Sequence, residues 1–155
     1  MNPPLALLSL LAHAERERNG AMSEAKRIEM EHRHAQRQVE QLIAYRGDYE
    51  QRWNRSFSDG GGGIAIVQCY QGFMDRLGAA IDAQQRVIAM TAQRLAGAQA
   101  HWQQLEIRVA SVRKLIDRRD TEARSEEARR EQKQLDEHAM RSAWRRGAGT
   151  TLSPL

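Results

Sequence analysis

Few side chains in this sequence could do chemistry, and none has the neighbours that chemistry requires. His32 and His34 stand two apart, which on a helix turns them to divergent faces and makes no metal pair. His101 and His138 have no ligand-type residue four positions away. Cys69 is the only cysteine, so it has no disulfide partner, and no base accompanies it in the sequence to make it a nucleophile. The run Gly60-Gly61-Gly62-Gly63 lacks the Lys and Ser/Thr with which a glycine-rich loop holds a phosphate. The expectation is a chain that is not an enzyme and takes no metal and no cofactor.

What remains is binding by surface. Two stripes at helical three-and-four spacing flank the glycine run: Gln38, Leu42, Tyr45 and Tyr49 before it, Phe73, Leu77, Ala80 and Gln84 after it. If the chain folds back at Ser58-Asp59-Gly60-Gly61-Gly62-Gly63, the stripes meet as one aromatic and apolar patch.

The elements that must position this patch are long helices. The only prolines are Pro3, Pro4 and Pro154, and the composition is rich in Ala, Arg, Gln, Glu and Leu. Aromatics reach 5% and charged residues 28%, a mixture that suits a coiled coil better than a thick globular core. At 155 residues the chain is expected to be one domain. The net charge of +4 comes from basic residues interleaved with acids, the pattern of a solvated helix face, so no nucleic-acid partner is expected. A lone cysteine suits a reducing cytoplasm. Leu5 to Ala12 is apolar but only about half a bilayer span, and it lacks the flanks of a signal peptide, so it reads as the first turns of a helix.

A heptad seam runs through the first half. One set of positions is Leu7, Ala14, Ala21, Ile28, Ala35, Leu42, Tyr49; the other is Leu11, Arg18, Ala25, His32, Val39, Arg46, Trp53. The second half carries Tyr70, Met74, Leu77, Ile81, Gln84, Ile88, Thr91, Leu95, Ala98, Trp102, Leu105, Val109, Val112 and Ile116, after which the register turns polar at Arg119. In an antiparallel hairpin closed by the glycine run, paired residue numbers sum to about 121. Leu5 then falls opposite residue 116, where the second seam stops. The predicted fold is all-α, a long antiparallel two-helix coiled-coil hairpin: helix 5–57, turn 58–63, helix 64–146, and a flexible tail 147–155. Residues 117–146 form a helical overhang laced with pairs such as Asp120–Arg124, Glu126–Arg130 and Glu137–Arg141.

Tyr45, Phe73 and Ala80 lie one step off the seam. Spacing alone leaves two readings of equal weight for the patch, a partner site or mere cover for the seam.

The segment Leu42-Ile43-Ala44-Tyr45-Arg46-Gly47-Asp48-Tyr49 is one part of a wider resemblance. With it go the glycine-rich turn, Tyr70-Gln71-Gly72-Phe73 with Leu77 and Ala80-Ile81, Trp102, and Glu131-Gln132-Lys133-Gln134-Leu135-Asp136-Glu137. In order and spacing, over nearly the whole chain, these resemble the FliJ family of flagellar type III export proteins. The resemblance implies a cytoplasmic stalk-like protein, peripheral at the inner membrane through its partners. Those partners are the hexameric export ATPase, whose assembly it promotes, the membrane export gate, and the chaperones of export substrates. A monomer is expected. The family's gate contacts fall on Gln38, Leu42, Tyr45, Tyr49, Phe73, Leu77 and Ala80, and on Gln84, where the family often has His. The ATPase contact is expected on residues 1–20 and 117–146, with Arg124, Arg130, Lys133, Asp136 and Glu137 as its candidates. An injectisome stalk and a coiled-coil nucleic-acid-binding arm are the alternative readings.

Overall fold

The computed structural model describes residues 4–149. Two helices account for nearly all of them, α1 (Leu5–Ser58) and α2 (Ile64–Ala148), and no strand occurs among the described residues. The chain is all-α, as expected. Helix α1 starts on the Pro4 carbonyl, which accepts from the Leu7 and Leu8 amides at 2.9 and 3.3 Å. It ends at Gly60, whose φ of +83° is the left-handed conformation that closes helices. The Asp59 and Gly60 amides turn back onto the Arg55 and Phe57 carbonyls there. Helix α2 starts on the Gly63 carbonyl, which accepts from Ile66 and Val67.

The helices run slightly past their expected ends, through Ser58 and through Ala148. Gly147 continues α2 instead of opening a tail, because one glycine costs a helix about 1 kcal/mol but does not stop it. Arg145 and Arg146 in the last turn complement the helix dipole. Residues 1–3 of the expected ATPase segment and 150–155 of the expected tail lie outside the described residues. Among the described residues no helix is long and apolar enough to cross a membrane, and no group of three His, Cys, Asp or Glu could hold a metal.

Close contacts group the chain into two compact units. The unit Arg16–Glu106 contains the turn and the facing parts of both helices. They pack antiparallel in a register readable from their cross-links. Gln84 Nε2 donates to Gln38 Oε1 at 2.7 Å, Thr91 Oγ1 lies 2.8 Å from His32 Nδ1, and Arg94 meets Glu31 at 3.0 Å. These pairs sum to about 122–125, within a few residues of the expected 121. The core of this unit is Ala21, Ala25, Ile28, Ala35, Val39, Leu77, Ile81 and Thr91. Every seam position named above within this unit is buried or half-buried. Two of the polar seam residues have partners on the facing helix: Arg18 pairs with Glu106 at 3.7 Å, and His32 with Thr91.

The other unit, Met1–Glu15 with Ile107–Leu155, has a smaller core of Ala14, Val109 and Val112. Arg113 bridges to Glu15 at 2.8 Å. Beyond Ile116 the register does turn outward: Arg119 is exposed, Ala123 is half-buried, and Glu126 to Arg141 are exposed throughout. The pairs Asp120–Arg124 and Glu137–Arg141 form at 2.9 and 3.9 Å. Such pairs stabilise a helix by about 0.2–0.5 kcal/mol each.

Candidate docking surface

The turn-proximal half of the unit Arg16–Glu106 brings the two stripes together. Gln38, Leu42 and Tyr45 from α1, with Ala80 and Gln84 from α2, line one open groove, and Gln41 joins them. The Gln38–Gln84 hydrogen bond spans the groove floor and leaves each amide a further polar atom for a partner. Tyr45 is 51% exposed and forms the lip.

The aromatic residues continue from that lip as a chain of rings. Tyr45 meets Phe73 edge-on at 6.2 Å, and Phe73 lies 4.5 Å from Tyr49. Tyr49 stacks on Tyr70 at 5.8 Å, and Tyr70 stacks on Trp53 at 4.2 Å. Alternate rings come from opposite helices, so the stack ties them together next to the turn, where alanine would bury too little area. Tyr49, Phe73 and Leu42 are half-buried, whereas Ala80 and Gln38 are exposed.

Leu77 has a different role. At 8% exposure it belongs to the seam, beside Ile81, and its side chain is directed between the helices. Its stripe mates Phe73, Ala80 and Gln84 are half-buried or exposed. Gln41 is a lining residue that sequence reasoning passed over, although its spacing of three from Gln38 and four from Tyr45 places it on the same flank. Both readings of the stripes hold in part: inner atoms cover the seam, and an open groove remains outside.

Farther from the turn the two helices carry a charged cluster. Arg27 is held by Glu24 and Glu31, and Glu31 also accepts from Arg94. The hydrogen-bonded Arg27 guanidinium holds the Glu24 carboxyl below its usual range.

In the other unit, the five residues expected to meet an ATPase do not share one face. Arg130, Lys133 and Glu137 follow a three-and-four spacing that continues through Met140 and Trp144. Arg124, tied to Asp120, and Asp136, accepting from Gln132 at 3.0 Å, lie on other faces. Met140 is 73% and Trp144 84% exposed, and with Ala143, Gly147 and Ala148 they line a shallow apolar recess. Beyond Ile116 the register reads as polar through Glu137, and stopping there missed this patch; the spacing of Met140 and Trp144 was its signal.

The family model described as "Flagellar FliJ protein" matches residues 3–148. The flagellar FliJ protein of Salmonella typhi is 32% identical over 114 residues, which cover 72% of this chain and 76% of that one. No solved structure matches the chain.

Proposed function

The chain belongs to the FliJ family and is a component of flagellar export; from that premise we propose that it is a cytoplasmic, stalk-like adaptor. It links the hexameric export ATPase to the membrane export gate, promotes assembly of the ATPase ring, and helps to cycle the chaperones of export substrates. It is membrane-associated only through these partners, and it acts without catalysis of its own.

The observation that supports the gate contact is the groove. Five of the eight residues assigned to the gate line it, and its aromatic lip and free amide atoms offer the mixed contact that anchors protein partners. Tyr49 and Phe73 support the lip from below, and Leu77 acts through the packing of the helices. For the ATPase we assign the stripe Arg130, Lys133, Glu137, Met140, Trp144, which adds an apolar anchor to an otherwise charged face.

The deciding experiment is titration of the full chain against the cytoplasmic portion of the gate protein. Tyr45→Ala combined with Ala80→Glu should weaken binding at least about tenfold while helicity by circular dichroism is kept. Undiminished binding by this variant would remove the gate assignment.

A further inference from the structure

The groove is the near end of a longer uncharged strip. Helix periodicity repeats each flank position every seven residues, so Phe73, Ala80 and Val87 lie in one row on α2, and Ala83 and Met90 lie in the row beside it. On α1 the corresponding flank carries His34, Gln38, Gln41 and Tyr45. Contacts establish that these flanks face each other along their length. Tyr45 meets Phe73 at one end, Gln38 meets Gln84 in the middle, and Glu31 meets Arg94 at the far end.

From Ala80 to Met90 on α2, and from Tyr45 to His34 on α1, no flank position is Asp, Glu, Lys or Arg, although 28% of the chain is charged. Arg76, at the outer edge of the near end, is turned back onto the Gly72 carbonyl at 3.2 Å. Val87 is 40% and Met90 62% exposed, so apolar side chains stand open to solvent where the strip runs on past the groove. The strip closes at the Glu24–Arg27–Glu31–Arg94 cluster, whose charges already satisfy one another. Phe73 to Met90 spans about 25 Å at 1.5 Å per residue.

We propose that this strip seats an amphipathic α-helix of the gate protein, about 17 residues long, whose contact face is apolar and uncharged. The proposal rests on the gate reading above and adds Gln41, Val87 and Met90 to the contact. Charge decides the face: between Ala80 and Met90 an ionised side chain lowered onto the strip would lose its water and find no counter-charge on either flank. Backbone chemistry decides the helix. Two helices offer no unpaired N–H or C=O with which to pair an extended strand, whereas a third helix brings its backbone already satisfied and fits the groove between the other two.

The test uses the full chain and the cytoplasmic portion of the gate protein. One variant carries Val87→Glu with Met90→Glu, and the control carries Met30→Glu, a more exposed apolar residue away from the strip. The double variant should bind at least about tenfold more weakly, and the control should be unchanged. A photo-crosslinker placed in turn at Gln41 and at Met90 should capture one gate segment, with linked residues spaced three and four apart. Loss of binding by Tyr45→Ala with full binding by the Val87→Glu, Met90→Glu variant would overturn the long strip and leave the gate reading standing. Crosslinks at every second gate residue would overturn the helix. Absence of gate binding by the unmodified chain would overturn both readings, and capture of a second copy of this chain at Met90 would overturn this one.

Discussion

His32 Nδ1 lies 2.8 Å from Thr91 Oγ1, a polar contact between two facing seam positions. The Thr91 hydroxyl is also 2.9 and 3.0 Å from the Val87 and Ile88 carbonyls, to which it donates. The His32 nitrogen facing it is therefore the donor, and Nε2 accepts from the Gln36 amide at 3.1 Å. One imidazole thus joins the two helices in a seam otherwise rich in alanine. An alanine seam discriminates poorly between registers a heptad apart, and a polar pair that is satisfied in only one of them corrects that.

Thr91→Val should therefore cost about 1–3 kcal/mol, because it strands the His32 N–H in a half-buried site. Urea unfolding measures it. Combining it with His32→Leu should recover most of the loss, since the stranded donor is then gone. A double variant no more stable than Thr91→Val alone would show that the pair does not act as a unit.

Leu77 and Tyr45 should separate stability from binding. Leu77→Ala removes a buried side chain and is expected to cost about 2–5 kcal/mol in unfolding free energy. Tyr45→Ala, on the lip, should cost about 1 kcal/mol, in the range of its ring contacts with Phe73 and Tyr49, and act chiefly on gate affinity. Equal destabilisation by the two would mean that Tyr45 is as much a core residue as Leu77.

The turn contains four glycines, but only Gly60 has a positive φ. Gly60→Ala should destabilise by about 1–2 kcal/mol, the cost of a side chain in the left-handed region. A Cβ on Gly61 meets nothing within 4 Å, and its φ is unstrained. Gly61→Ala should be neutral or stabilising by about 0.4–1 kcal/mol, through the unfolded chain. Thermal unfolding of the pair checks this, and equal effects would contradict it.

Trp144→Ala should leave stability within about 0.5 kcal/mol, since the ring is exposed. It should nonetheless reduce stimulation of the export ATPase in a steady-state hydrolysis assay. Full stimulation would place that contact elsewhere than the Arg130–Trp144 stripe.

Most of the architecture was legible in the residues alone. Helix identity followed from the absence of interior proline, the seam from its heptad spacing, and the turn from four consecutive glycines that no helix would retain. All of these are local properties, carried by one turn of chain at a time. The register to within a few residues was legible too, because the length of the turn constrains which residues can face each other. The sequence could not apportion the two stripes. Leu42, Phe73, Leu77 and Ala80 share a spacing, yet Leu77 is buried and Ala80 is open, since burial depends on how far the facing helix reaches across the flank. The same reason hid Gln41, Val87 and Met90. Whether a flank is covered depends on the opposite helix, and only the packed pair reveals it.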